Sequence, residues 1–583
     1  MRKNKPAREK ERQTATRNRR ELIEARLSRR ALMKLGLLTS GGYLIAKNGL
    51  SARASGGDPQ SPPTRPFIEP LPIVPVKQPV AGLTPDPTVA PNKAAGEART
   101  RNHQALARFP PRKLYEVHQR AGLVSMSPDL PLQHIWGFDG ITPGPTYIAR
   151  YGEPILIRNF NDLPADNGGF GLNEVSTHQH NGHTPSESDG FPCDFFGPGR
   201  FYDQHYPNML AGFDSTHPPN GDPNEALSTL WYHDHRVDFT SQNVYKGLAG
   251  TYLLFNDRDT GDETTGFRLP SGQFDVPLMV SDKVFDENGQ LFFDLFNLDG
   301  ILGDKFLVNG KIQPFFEVHP RRYRLRLLDG GPSRFYQFFL TDLNSPDTPL
   351  PFWQISNDGN LLPKPIQVTS VRISVAERAD IIIDFSQFAG RSIVLENRLE
   401  QTDGRGPTGN LLPAGRGDRV LRFDAVLPPV ADNSLHPAAI TKFYDLPALE
   451  PPRVVRRFRF ERNNGQWAIN GKFFDCNDVR FRVQKNSAEH WVLQNNSGGW
   501  QHPIHVHFEE FQIVSRNGQP PQAVERSRKD VVRLGFNEEI TVFSRFRDFV
   551  GPYPQHCHNT VHEDHAMMLR WDIEEIGDRK TEP

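Results

Sequence analysis

Four short stretches of this sequence each hold two histidines separated by one residue: Thr177-His178-Gln179-His180, Tyr232-His233-Asp234-His235, His505-Val506-His507 and His556-Cys557-His558. In an extended strand, residues two apart project from one face, about 6.6 Å apart along the backbone. A single ion is poorly chelated across that gap. Two neighbouring ions can each take one ring, and neutral imidazole suits copper, zinc or iron. One such pair alone is most simply read as two half-exposed surface histidines. Of the 20 histidines, however, ten fall in these stretches and at their borders, and four pairs outweigh that reading. His178, His180, His233, His235, His505, His507, His556 and His558 are therefore candidate ligands of a metal cluster that the fold must assemble.

A second, different donor set overlaps the last stretch. Cys557 lies between two candidate ligands, so strand alternation turns its sulfur to the opposite face, toward another ion. His502 precedes His505 by three residues, His562 follows Cys557 by five and Met567 follows it by ten. Two imidazoles, one thiolate and a weak thioether are the ligands of a blue-copper electron-transfer centre, with the soft sulfur selecting copper. Met568 competes with Met567, which spacing favours. Cys557 and its covalent neighbours His556 and His558 then connect this centre to the cluster.

The length of 583 residues predicts several packed units. The 51 prolines and 48 glycines among short apolar runs predict many strands joined by turns, an all-β protein. Lys plus Arg total 68 against 69 Asp plus Glu, which gives no electrostatic reason for a nucleic-acid partner. Residues 1–30 carry 12 basic residues against four Glu. They lead through Ser28-Arg29-Arg30-Ala31-Leu32-Met33-Lys34 into the mildly apolar run Leu35 to Ala46 and the small-residue site Ala52-Arg53-Ala54. This segment, 1–54, resembles a twin-arginine export signal, which implies a folded product passed by the twin-arginine machinery to the periplasm or the medium. The apolar run is too short and too interrupted for a stable membrane anchor, which needs ~20 apolar residues. Residues 55–100 are Pro-rich and read as an extended arm.

With all four motifs present in order, the chain resembles the multicopper oxidases. It is especially similar to the bacterial branch that includes spore-coat laccases, bilirubin oxidases and phenoxazinone synthases. Trp231-Tyr232-His233-Asp234-His235 running on to Gly247-Leu248-Ala249-Gly250, and His562-Glu563-Asp564-His565-Ala566-Met567-Met568, carry that likeness. Leu307-Val308-Asn309-Gly310-Lys311, Glu377-Arg378-Ala379-Asp380 and Ile469-Asn470-Gly471-Lys472 extend it between the clusters. The resemblance implies three consecutive cupredoxin-like Greek-key domains, at 101–265, 266–430 and 431–583, with cluster ligands from the first and third. It implies four coppers: a type 1 ion on His502, Cys557, His562 and Met567, a type 2 ion on His178 and His505, and a type 3 pair on the other six histidines. Asp189 and Glu563 match acidic positions assigned to proton supply. The implied reaction draws single electrons from a small reducing substrate, a phenol or aminophenol, through the edge of His562, and reduces dioxygen to water in a monomeric enzyme. A manganese(II)-oxidising or other metal-oxidising relative is the main alternative, with the acidic run around Glu187 and Asp189 or a patch near the blue copper as a hard-cation site. A periplasmic copper-binding protein is the non-enzymatic alternative, but it has no need of four correctly spaced pairs around one cysteine. A catalytic zinc needs only three protein ligands, which disfavours a zinc hydrolase. His183 and His565 are extra histidines, expected at the surface or as outer partners of ligands. Cys193 and Cys476 either link the first and third domains or remain free.

Overall fold

A computed structural model of the chain describes residues 60–583, together with a short antiparallel backbone pairing of Tyr43–Ile45 with Ser51–Arg53. The segment carrying Arg29 and Arg30 lies outside the described residues. Strands dominate; among the described residues the α-helices are two short ones, Thr240–Lys246 and Thr560–Asp564. No helix there is long and apolar enough to cross a membrane.

The strands fall into three consecutive pairs of sheets, as expected for three cupredoxin-like units. Two four-stranded sheets use strands between Lys113 and Phe255. An eight-stranded and a five-stranded sheet use strands between Asp275 and Asp424. A six-stranded and a five-stranded sheet use those between Val454 and Glu574. Parallel contacts, such as Gly144–Arg150 with Ala249–Phe255 and Val479–Gln484 with Met568–Glu574, join strands far apart in sequence. Parallel neighbours need crossover connections, which rules out a simple meander.

Each unit buries its own apolar face. Leu278, Leu325, Ile381 and Leu395 centre the middle core, and Trp467, Trp491, Trp571 and Phe546 the last one. Alternation shows plainly in Val454–Asn463, where inward Val454, Arg456, Phe458 and Phe460 alternate with more exposed residues. The inward charge of Arg456 is met by a two-point contact with Glu489, at 2.6 and 2.8 Å.

The Pro-rich arm lies along the middle and first units. Ser61 bonds Asp304, Leu71 N–H donates to the Phe315 carbonyl, and Lys77 N–H donates to that of Thr146. Further on, Gln104 exchanges two bonds with the Val550 backbone. Prolines suit this course, because a chain in extended conformation pairs at isolated points without needing every N–H.

Cys193 and Cys476 form a disulfide that spans 283 residues and ties the first unit to the third. Phe191, Val237, Phe474 and Met568 pack around it. A covalent tie over so long a loop mainly restricts the unfolded chain and contributes about 2–5 kcal/mol. Replacing both cysteines by serine should therefore lower the thermal unfolding midpoint, and dithiothreitol should depress the parent but not the variant. Equal midpoints for parent and variant would show that the link constrains nothing.

Candidate metal centres

The eight histidines come from two pairs of neighbouring strands. In the first unit Thr177–Gln179 pairs antiparallel with Thr229–Asp234, with His178 directly opposite His233. In the third unit His502–Val506 pairs antiparallel with Gly551–Cys557, with His505 opposite His556. Directly opposed residues share a face, so each unit presents its four rings as one patch. The two patches meet, and all eight side chains are buried. Gly190 permits part of this closeness: its φ is +85°, and a Cβ there would fall 2.1 Å from the Thr177 carbonyl and 2.5 Å from His178 Cα.

Three groups of nitrogens result. His178 and His505 approach at 3.3 Å between their Nε2 atoms. His180 Nε2 lies 3.1 Å from that of His233 and 3.0 Å from that of His558. His507 Nε2 lies 3.1 Å from that of His235 and 3.2 Å from that of His556. Every His-x-His pair divides its members between two groups, as the strand spacing requires.

The outer nitrogens decide what these groups can hold. The Nδ1 atoms of His178 and His505 face the carbonyls of Asp189 and Asp530, at 2.5 and 2.8 Å. His233 Nδ1 faces the Asp234 carbonyl at 2.7 Å. His180 and His507 turn theirs to the carboxylates of Asp530 and Asp189, at 3.0 and 2.8 Å. His235 and His556 share Glu563, at 3.0 and 3.1 Å from its two oxygens. An acceptor at Nδ1 requires the proton there, which leaves a bare lone pair on Nε2. Lone pairs facing one another at 3.0–3.3 Å repel unless a cation lies among them. The donor set therefore fits bound metal, and its all-imidazole character suits copper.

The second set is equally closed. Cys557 Sγ lies 3.4 Å from His502 Nδ1 and 3.5 Å from His562 Nδ1, and the two nitrogens are 3.2 Å apart. Here the outer nitrogen is Nε2, bonded to Ser497 Oγ at 2.8 Å in His502 and to the Asp299 carbonyl at 3.0 Å in His562. Burial pushes the Cys557 thiol well above its ordinary pKa, so a free thiolate is disfavoured and a soft cation is needed to displace the proton. Met567 belongs to the same packed cluster as Cys557, whereas Met568 sits opposite His556 and packs near the disulfide. Asn559 caps the helix Thr560–Asp564 through its side chain, and that turn aims His562 at Cys557 and Glu563 at the larger cluster.

Several site residues escaped sequence reasoning. Asp530 stands in a run, Arg528-Lys529-Asp530, that reads as a solvated charged turn, yet all three are buried. Trp231 stacks on His180 and His233, with ring centroids 4.7 and 4.4 Å away. Trp467 covers His562 at 4.1 Å, and its Nε1 donates to the Leu298 carbonyl. His562 is thus wholly enclosed, and the imidazole edge expected to face a reductant lies against the Asp299 carbonyl. His183 is not a surface residue: it is buried, 2.8 Å from Asp548, outside the metal-holding groups. Glu187 is buried and accepts two bonds from Gln104. Among the described residues, each cluster able to hold a metal involves the histidines already named.

Residues 447–576 match the family model described as Multicopper oxidase. A bilirubin oxidase from Albifimbria verrucaria is 34% identical over 527 residues, covering 88% of this chain and 82% of that protein. The chain belongs to the multicopper oxidases. A laccase from Bacillus subtilis is 30% identical over 520 residues, covering 79% of this chain and 94% of its own. In fold the chain is similar to the crystal structure of laccase from Pediococcus acidilactici, with TM-score 0.68 and 23% identity over 92% of this chain and all of the other. It is a copper-dependent oxidoreductase with oxygen as acceptor.

Burial, reinforced by repulsion from neighbouring rings, holds His178, His180, His505, His507 and His558 well below the ordinary histidine pKa, and His233 at about 3. In the copper-free protein the unfolded chain therefore binds more protons once the pH drops below ~6.5. Stability from these rings is full above that value and is lost as pH falls toward their folded values, about 2 kcal/mol per ring by pH 5. The unfolding midpoint of copper-stripped enzyme should fall steeply between pH 7 and 5, and loaded enzyme should resist. An acid-insensitive stripped enzyme would contradict the neutral, buried rings.

Proposed function

We propose that this multicopper oxidase is of the laccase type, oxidising electron-rich phenols or aminophenols one electron at a time and reducing dioxygen to water. The observation that carries the proposal is the pair of separate, closed donor sets joined through one residue, Cys557. Four substrates each lose one electron and one proton, and dioxygen takes up four of each to give two waters. His502, Cys557 and His562, with Met567 as the weak axial donor, would hold the type 1 copper. His178 and His505 would hold the type 2 copper, and His180, His233, His235, His507, His556 and His558 the type 3 pair. When bound, these coppers supply a one-electron acceptor and a four-electron store.

The chain supplies the rest. Cys557 is covalently continuous with His556 and His558, so electrons need no gap between the two sets. Burial pushes the Asp189 carboxyl well above the usual range, which suits it to carry a proton beside His507. Burial also raises Glu563, but the rings of His556 and His235 outweigh it and hold that carboxylate well below the usual range. Asp189 then supplies protons and Glu563 accepts and passes them on, a division set by surroundings. The Asp299 carbonyl and the Trp467 face cover His562, so a reductant donates across them and binds loosely outside. The run around Glu187 and Asp189 does not favour manganese(II), because both carboxylates are buried and engaged.

Metal analysis of loaded enzyme should find about four coppers with intense blue absorbance. Cys557→Ser should lose the blue colour and oxygen uptake while still binding copper at the eight histidines, since serine oxygen is a harder, weaker donor. Oxygen consumption with substituted phenols, bilirubin, cuprous ion and manganese(II) should be greatest with the phenols. Turnover with manganese(II) alone, or a single copper per chain, would defeat this reading.

The enzyme is read as periplasmic or secreted, exported through Arg29 and Arg30. The Cys193–Cys476 disulfide supports an oxidising destination. Changing both arginines to lysine should strand precursor in the cytoplasm, and unaltered export would refute the route.

A further inference from the structure

The middle unit contributes none of the eight cluster rings, yet one of its side chains reaches them through a single intermediary. Arg378 begins the strand Arg378–Asp384 and is fully buried. Its Nη1 donates to Asp530 Oδ1 at 2.7 Å and its Nη2 to Asp530 Oδ2 at 3.1 Å, a fork-to-fork contact. The other donors are also engaged, with the carbonyls of Ala376, Asp358 and Thr229 at 2.9, 2.9 and 3.3 Å. Arg378 therefore touches the first unit at Thr229, its own unit at Ala376 and Asp358, and the third unit at Asp530.

Asp530 is the intermediary. Its carboxylate accepts the His180 Nδ1 proton at 3.0 Å, and its backbone carbonyl accepts that of His505 at 2.8 Å. One residue thus sets the tautomer and tilt of rings in two of the three nitrogen groups. The third group, His235, His507 and His556, is held independently by Glu563 and Asp189. Around the pair, Lys529 bonds Asp358 at 2.8 Å and Glu377 at 2.9 Å, and Asp358 Oδ2 accepts from Val531 N–H at 3.2 Å. These contacts tie both neighbours of Asp530 to the middle unit, Lys529 by its side chain and Val531 by its backbone.

We propose that Arg378 is a positioning residue for the oxygen-reducing cluster, acting through Asp530 to hold His180 and His505, so that docking of the middle unit completes the copper site. This rests on reading the eight histidines as that cluster. A planar guanidinium is needed because only a fork fixes both carboxylate oxygens while the remaining donors reach three carbonyls, and lysine cannot reproduce that geometry. The Cys557 site shares no contact with Arg378 and should be indifferent to it.

In full-length, copper-loaded enzyme, Arg378→Met should keep the blue absorbance per chain. It should release non-blue copper to a competing chelator about 10–100-fold more readily, with an altered non-blue paramagnetic signal. Arg378→Lys should fall between the parent and Arg378→Met. Asp530→Asn keeps the shape of the pair and removes its charge, and it should move the same signal even where Arg378→Met does not fold. Unchanged copper retention and signal in Asp530→Asn overturns the proposal. So does loss of blue and non-blue copper in equal proportion with a lowered unfolding midpoint of the copper-free variant, which marks a merely structural role. A parent enzyme that takes up no non-blue copper would instead sink the reading of the cluster, so the two failures are distinguishable.

Discussion

Proton placement on the imidazoles governs this molecule. Seven outer nitrogens of the larger cluster face oxygen acceptors, and this directs seven lone pairs inward to a space that only cations can neutralise. Acceptors that hold a ring in this way must themselves be held in place, and they are few. Asp189, Glu563 and Asp530 each serve two rings, by carboxylate or by carbonyl. Three buried acidic residues thus do the orienting for six ligands, and much of the surrounding architecture is explained by what those three require. The Gly190 turn brings Asp189 to His178, the Asn559 cap starts the helix that carries Glu563, and the middle unit clamps Asp530.

The same logic accounts for the separation of the two donor sets. A strand gives its neighbours opposite faces, so a cysteine between two cluster histidines cannot join their cluster and must serve another ion. Register confirms the alternation: His556 pairs with His505, and Cys557 with Ile504, in the apolar core of the third unit. That core surrounds the thiol with low-polarity packing, while the imidazoles one residue away sit among carboxylates. Two environments of opposite character are thereby placed one peptide apart, with no extra residue between them.

Much of this was legible in the sequence, because ligand geometry is local. His-x-His spacing and the position of Cys557 depend only on strand periodicity, and the all-β reading needed only short apolar runs and turn residues. What escaped notice depends on tertiary burial. Arg528-Lys529-Asp530 has the composition of a solvated turn and gives no local sign that Asp530 faces two imidazoles from distant strands. Arg378 stood within a stretch of family likeness without a role, since its partner is 152 residues away. The pairing of Cys193 with Cys476 was open for the same reason, and His183, expected at the surface or as an outer partner of a ligand, is instead buried against Asp548.

Enclosure of His562 gives the last step. Its ring is covered by the Asp299 carbonyl and the Trp467 face, so nothing outside can coordinate or hydrogen-bond its Nε2. In the proposed reaction a reductant would then be selected by its potential and by its fit to the outer surface, without contact with the ring. Electron transfer across one layer of atoms tolerates loose and varied binding, whereas proton delivery to dioxygen does not, because protons move only along hydrogen bonds. The chain reflects that difference in where it spends rigidity. The cover over His562 is one loop carbonyl and one strand tryptophan, while the acids beside the eight histidines are buried and each face two rings. In the proposed reaction these two ends lie one peptide apart, at Cys557 and its neighbours His556 and His558.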